Sequence, residues 1–333
     1  MAALSTVRGD IDTTAVGACL MHEHVFILTP ELSSDYPEIT GWDEEAKVAE
    51  AIARLTALKV AGVDTIVDMT VLGMGRDIPR LQRINAAVDI NIVVATGLYT
   101  FDKLPGYLSH VGPGGMVGTD REPMIDMFVR DVTQGIAGTG VKASVLKCCT
   151  DGPGVTPGVE RVIRAVARAH RATGTPISTH ADAFTRRGLE QQEILAQEGV
   201  DLSRVLIGHC GDTTDLDYLQ ALLDRGSFIG MDRFGLYGGR HMSFDERVGI
   251  VAELCARGYA RQVVLSHDLA CWQDWIPLEL RPAAGMEQPD WHWLHITEKV
   301  VPALREQGVR DADITSMLTD NPRRVFETAG QAY

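Results

Sequence analysis

Aromatic residues are few, 6 % of 333, and positive charge is in deficit: 31 Lys and Arg stand against 45 Asp and Glu, a formal net charge of −14. A net-negative surface repels phosphate backbones and anionic lipid, so neither nucleic acid nor membrane is an expected partner. No run of Lys and Arg makes a local exception. No apolar run reaches the ~18 residues that a membrane helix needs. The six cysteines, Cys19, Cys148, Cys149, Cys210, Cys255 and Cys271, include no CxxC pair and read as reduced, mostly buried thiols. The opening residues, Met-Ala-Ala-Leu-Ser-Thr-Val-Arg-Gly-Asp, have neither a basic nor an apolar signal region, so no signal peptide is expected and the cytoplasm is the expected location. Low-complexity segments and linkers are also missing. With 45 % hydrophobic and 23 % charged residues, the composition is that of a globular chain long enough to bury a large core without disulfides.

What recurs is a short apolar run followed by a longer amphipathic stretch. The runs cover residues 18–25, 65–69, 90–96, 143–148, 176–180, 205–210, 228–231 and 263–267. Each is rich in Val and Ile and continuously apolar, the pattern of a strand buried on both faces. Between them lie helical patterns. Over 44–59, Ala46, Val48, Ala49, Ile52, Leu55 and Leu58 gather near one face. Residues 157–173 open on a proline and close before Gly174, and 215–225 and 245–257 repeat the theme. Eight buried strands alternating with helices predict a (β/α)8 TIM barrel, an α/β fold in one domain over residues 1–333. A short N-terminal hairpin over residues 6–14 is expected at the barrel floor. A last helix is expected to begin at Thr319-Asp320-Asn321-Pro322, a polar cap followed by proline. The runner-up, an open doubly wound sheet, needs a glycine-rich phosphate loop after its first strand. Met21-His22-Glu23-His24 stands there instead.

Polar residues cluster at the predicted strand ends. Strand one ends in His22 and His24, strand four near Lys147, strand five in His180, strand six in His209 and strand eight in Asp268. In a barrel these ends converge on one mouth, where catalytic sites lie. Each residue alone has a bland reading: a chance HxH, a hydrogen-bonded core histidine, a capping aspartate. An unpaired ammonium at Lys147 would cost several kcal/mol or lose its proton, so its bland reading requires a buried ion pair. The joint placement favours metal binding by the whole set. Other histidines fail the same test. His267 faces the opposite side of strand eight from Asp268, His170 sits in a helix, His110 and His241 fall in loops, and His292 and His295 read as one face of a late helix.

On these residues the chain resembles the phosphotriesterase family of the amidohydrolase superfamily, specifically its phosphotriesterase-like lactonases. The resemblance runs from Gly17-Ala18-Cys19-Leu20-Met21-His22-Glu23-His24 to Asn321-Pro322-Arg323-Arg324-Val325-Phe326. It implies a binuclear centre. His22, His24 and Asp268 would hold the more buried metal, and His180 and His209 the more exposed one. A carboxylated Lys147 and a hydroxide would bridge both. Such ligands suit zinc first, with iron, cobalt or manganese as alternatives.

Two motifs point within the family. Ala95-Thr96-Gly97-Leu98-Tyr99 and Met231-Asp232-Arg233-Phe234-Gly235 are similar to the lactonase branch, where Tyr99 and Arg233 would line the site. Core packing for Tyr99 and a buried carboxylate pair for Arg233 are the bland alternatives. Trp272 and Trp275 lie in an expected loop over 269–290, with Trp291 and Trp293 just beyond. If residues 272–275 form a helical turn, the first two share a face that covers an apolar tail; packing or a dimer contact is the alternative. The resemblance therefore implies a quorum-quenching lactonase for N-acyl-homoserine or related γ/δ-lactones, with promiscuous phosphotriesterase activity. Asp268, Tyr99 and Lys147 would be catalytic, and Tyr99, Arg233, Trp272 and Trp275 would bind substrate. The expected partners are a small-molecule lactone and a second copy of the chain. An organophosphate triesterase and a catalytically silent ligand-binding barrel are the rival readings.

Overall fold

The computed structural model describes residues 2–238, 241–276, 280, 282–283 and 288–327. One curled sheet of nine strands organises them: β1 (Cys19–Ile27), β2 (Thr65–Asp68), β3 (Asn91–Gly97), β4 (Val145–Thr150), β5 (Ile177–Ala181), β6 (Val205–Ile207), β7 (Phe228–Met231), β8 (Val263–Leu265) and β9 (Ala270–Gln273). Their order across the sheet is β8-β7-β6-β5-β4-β3-β2-β1-β9, and every pairing is parallel. Neighbours in sequence are neighbours in the sheet, so the strands wind in one direction as a TIM barrel. The reversal of strand order that marks a doubly wound sheet does not occur among the described residues.

The ninth strand departs from expectation. A single strand over 263–267 followed by a loop was predicted, but the eighth strand is broken in two. Its lower half, β8, pairs with β7. After residues 266–269 the chain resumes as β9 and pairs with β1, which closes the barrel. Ala270, Cys271 and Trp272 are all buried, which makes this stretch a wall strand rather than a loop.

The helices follow their sequence signals. Glu44–Val60 starts after Asp43, whose side chain accepts from the Ala46 N–H, and Pro157–Thr173 starts after Thr156, which accepts from Val159. Leu216–Asp224 and Phe244–Ala256 lie within one residue of expectation. The hairpin is shifted towards the terminus, to Ala3–Thr6 and Gly9–Asp12. Its Leu4 joins Met21, Val67, Val93, Val145, Leu206, Val264 and Phe326 in the barrel interior, and the Val7 N–H donates to Ile92 O. The hairpin thus plugs the floor.

Two local expectations fail. The last helix does not begin at Thr319; helical structure runs from Asp311 through a π-turn at Ser316–Asp320 into Asn321–Glu327. A wide turn accommodates Pro322, which lacks an N–H and whose ring crowds the preceding turn. Asn321 is no cap: its amide donates to Ala260 O and Val263 O and ties the helix to the base of β8. His110 closes a helical turn, Gly106–His110, rather than lying in a loop. No helix among the described residues is long and apolar enough to cross a membrane.

Candidate metal centre

The site begins with a change of phase in β1. Cys19 and Met21 face the barrel interior, while Leu20 and Val25 face the helices. Simple alternation would then turn His22 outward. Between Leu20 and Glu23 the register with β2 shifts, and beyond it His22 and His24 both point to the mouth. A bulge re-aims side chains in this way. β4 alternates without interruption, Val145 inward and Leu146 and Cys148 outward, which places Lys147 inward. Beside it Gly97 is obligatory: φ is +144° and a Cβ would lie 1.9 Å from Lys147 O. His180 sits in β5, His209 follows β6, and Asp268 occupies the break between β8 and β9. His209 and Asp268 both adopt left-handed backbone, with φ of +59° and +51°.

These six residues meet in one place. Asp268 Oδ1 lies 3.5 Å from His22 Nε2 and 3.4 Å from His24 Nε2, and its Oδ2 lies 3.8 Å from His209 Nε2. Lys147 Nζ is 3.2 Å from His22 Nε2. His209 Nε2 is 2.9 Å from His180 Nδ1. His22, His24 and Asp268 together present ligand atoms within 4.8 Å of one another.

The far sides of the rings explain why the near sides are free to ligate. Asp151 Oδ2 sits 2.7 Å from His180 Nε2, and Asp232 Oδ1 sits 3.0 Å from His209 Nδ1. A carboxylate takes the ring N–H, which assigns the tautomer and leaves the other nitrogen with its lone pair. His180 Nδ1 and His209 Nε2 therefore face each other as two lone pairs at 2.9 Å, an arrangement that a bound cation relieves. His24 follows the same rule: its Nδ1 donates to Thr70 Oγ1, which donates to Phe26 O, and Nε2 is left aimed at Asp268. Asp232 serves two rings, since its Oδ2 is also 3.2 Å from His22 Nδ1. This donor set fits divalent cations.

Electrostatics agree. Burial pushes His22 down to about 4, and His24 and His180 down to about 3, so the rings stay neutral. Burial alone would raise Asp268, but the Arg233 guanidinium beside it acts the other way, and the carboxyl is held well below the usual carboxylate range. Asp232 is held down in the same way by His209 and His22. Lys147 is depressed, chiefly by burial. The buried ion pair that its bland reading requires is missing: among the described residues no carboxylate pairs with Lys147, and its hydrogen-bond contact is an imidazole nitrogen.

Above the cluster lies a cavity of about 160 Å³, lined by Tyr99, Arg233, Leu236, Trp275 and Trp291 among others. Tyr99 packs against Trp275, with ring centroids 5.3 Å apart, and meets His180 edge-on at 5.7 Å. Its hydroxyl has no hydrogen-bond partner among the described residues. Arg233 lines the cavity but is paired, with Asp268 at 2.9 Å and Asp212 at 2.7 Å, and not with its neighbour Asp232. Trp275 is 37 % exposed at the rim. Trp272 corrects the sequence reading. It is buried in β9 with Lys47 Nζ 3.6 Å from its ring centroid, outside the cavity lining, so no helical turn brings it beside Trp275. Trp291, which the sequence reading did not count among the substrate contacts, lines the cavity, its Nε1 donating to His267 O. Of the expected loop over 269–290, residues 277–279, 281 and 284–287 lie outside the described residues.

His267 does face away, bonded to Glu23. Sequence reasoning missed the residues behind the candidate ligands: Glu23, Thr70, Asp151, Asp212 and Asp232. The one available signal was position, since Glu23 separates two candidate ligands and Asp232 directly follows β7.

Comparison with known proteins agrees with this geometry. Residues 2–326 match the sequence model of the phosphotriesterase family. The solved phosphotriesterase from Mycobacterium tuberculosis is 57 % identical and superimposes with a TM-score of 0.94 over 98 % of this chain and 99 % of that one. An aryldialkylphosphatase of Saccharolobus solfataricus is 36 % identical over 96 % of this chain and 98 % of its own. A further solved structure, described as organophosphate hydrolysis engineered from a weak promiscuous lactonase template, is 33 % identical with a TM-score of 0.87, covering 98 % of this chain and 100 % of that one.

Proposed function

The chain belongs to the phosphotriesterase family of metal-dependent hydrolases, and from that premise we propose that it is a lactonase, acting on N-acyl-homoserine or related γ/δ-lactones, with phosphotriester hydrolysis as a side activity. The observation that carries the reading is the unpartnered Tyr99 hydroxyl beside His180, in a cavity walled by Trp275 and Trp291. It offers one donor to a carbonyl or ring oxygen and an aromatic wall to an apolar tail. The relation to a lactonase template supports the same choice.

His22, His24 and Asp268 would hold one divalent ion, zinc first among the candidates, and His180 and His209 a second, with a carboxylated Lys147 between them. Such ions supply Lewis acidity and an activated water at neutral pH. The chain's own residues do the rest. Asp232, Asp151 and Thr70 hold the rings with their lone pairs inward. Arg233 Nε, 2.9 Å from Asp268 Oδ2, keeps that carboxylate ionised and ready to carry a proton to the leaving alkoxide. Trp275 and Trp291 wall one side of the substrate. The six free thiols suit a reducing compartment, the cytoplasm.

The aryldialkylphosphatase relative favours a second reading, a triesterase first and a lactonase second. Steady-state kinetics on metal-loaded protein decides between them. We expect kcat/KM for the best lactone of a panel to exceed that for paraoxon by about 100-fold or more, ~2.7 kcal/mol in transition-state stabilisation. A paraoxon value equal or higher supports the second reading, and activity on neither supports a silent barrel.

A further inference from the structure

The barrel must close between its first and eighth strands, and at the level of the ligands the strand ladder is missing there. β8 pairs only with β7, and β9 meets β1 only from Ala270 onward. In the gap, one side chain from strand one bonds residues 266, 267 and 269 at once. Glu23, between the two histidines of strand one, is fully buried. Its Oε1 accepts from Ser266 Oγ at 3.0 Å, from the His267 N–H at 2.8 Å and from His267 Nδ1 at 2.8 Å. Its Oε2 accepts from the Leu269 N–H at 3.1 Å. The carboxylate thus grips the residues on both sides of Asp268, and Asp268 is one of the two ligand-type residues with left-handed backbone. Three further bonds lock the same segments: His22 N–H to Ser266 Oγ at 2.9 Å, Asp268 N–H to His22 O at 3.1 Å, and His24 N–H to Leu269 O at 2.9 Å.

The other left-handed ligand residue is held by the same device. Asp232 Oδ1 accepts both the His209 main-chain N–H, at 2.8 Å, and its ring nitrogen. In each case a buried carboxylate binds main-chain N–H groups in place of a ladder, and a conformation that costs free energy in isolation persists because its surroundings over-determine it.

We propose that Glu23 is a positioning residue: it sets the backbone of Asp268, and through it the geometry of the site formed with His22 and His24, without touching metal or substrate. The inference rests on reading Asp268 as a ligand of that site. Glu23→Gln is the informative change. The amide keeps the volume and one acceptor oxygen but turns an NH2 towards the Leu269 N–H, so that donor loses its partner.

The experiment is a titration of chelator-stripped protein with Co²⁺ alone, followed by visible absorption, on the full chain. Wild type is expected to take two equivalents. Glu23→Gln should weaken one equivalent by about tenfold or more and alter its absorption bands, the scale seen when a residue supporting a ligand is lost, while the other, at His180 and His209, stays within about threefold. Wild-type affinities and bands in the variant, or parallel weakening of both equivalents, overturn the proposal. If Glu23→Gln does not fold, Ser266→Ala decides. It removes one donor to Glu23 and the acceptor of the His22 N–H, and should weaken the same single equivalent by about threefold or more; an unchanged titration overturns the proposal. Wild type that takes no cobalt removes the metal-site reading and this inference with it, whereas wild type that takes two beside an unaltered variant removes the inference alone.

Discussion

Lys147 is a long side chain of the cationic type with no carboxylate paired to it among the described residues. It is buried, its Nζ meets His22 Nε2 at 3.2 Å, and burial already favours the neutral amine. A carbamate on that amine would turn a residue that no carboxylate pairs with into a two-oxygen anionic group of ligand type. Lys147→Ala is therefore expected to lose most bound metal, by elemental analysis, and most activity, and a small carboxylic acid such as propionate should restore part of both. A variant that keeps two metals and the full rate would show that Lys147 bridges nothing. Tyr99 poses the opposite case, a hydroxyl with no partner in a half-buried setting. Tyr99→Phe removes one oxygen and leaves the stack on Trp275 intact. Lactone kcat/KM should fall about tenfold, ~1.4 kcal/mol, the upper part of what one net hydrogen bond contributes. Paraoxon turnover should fall less, because it offers no carbonyl to align. Equal losses on both substrates would mean that Tyr99 supports the metal centre and does not select lactones.

The elements differ in how openly the sequence declares them. The barrel strands were legible because parallel strands buried on both faces must be continuously apolar. The helices were legible because Pro157, Thr156 and Gly174 punctuate them locally. The break in the eighth strand was not, since the Glu23 carboxylate that bonds the residues in the gap stands about 240 residues away in sequence. The π-turn before Pro322 hid in a pattern that reads equally well as a helix start. Trp272 and Trp275 misled because three-residue spacing says nothing until the element type is known, and Trp272 lies in a strand that ends before Trp275. This divides the expected effects of the two tryptophans. Trp275→Ala should flatten the dependence of kcat/KM on acyl-chain length, in which each buried methylene is worth up to ~0.8 kcal/mol, and leave the bare-ring rate nearly unchanged. Trp272→Ala should leave that slope alone and instead destabilise the fold by about 3–5 kcal/mol, the range for emptying a buried aromatic site. A slope unaltered by Trp275→Ala retires the tail-pocket idea.

Across the whole molecule, ligand-type residues from five strand ends become one site only because the barrel closes. That convergence was legible from fold class. The partners behind the ligands were not, because Asp232, Asp151 and Thr70 come from other strands and no local pattern announces them. The same long-range logic holds the segment after β9 against the barrel. His295 is buried there, its Nε2 2.7 Å from the Tyr237 hydroxyl, its ring against Phe244 and His292, and Asp290 3.9 Å from its Nδ1. Burial, with His267, His292 and Lys299 nearby, outweighs Asp290 and pushes His295 down to about 4. In the unfolded chain the ring titrates near 6.5. As pH falls through that window the unfolded state takes a proton that the folded state refuses. The stability contribution is therefore complete above about 6.5 and is lost as pH drops towards 4, by about 2 kcal/mol at pH 5. Urea unfolding of wild type at pH 7 and pH 5 contains this loss together with that of the buried histidines of the candidate site. His295→Gln keeps a hydrogen-bond partner for Tyr237 but carries no proton equilibrium. The variant should therefore lose about 2 kcal/mol less than wild type between the two pH values, and the histidines of the candidate site, common to both proteins, cancel in the comparison. Equal losses in the two proteins would mean that His295 takes its proton in the folded state as readily as in the unfolded one, and that the segment carrying Trp291 is not held by a neutral histidine.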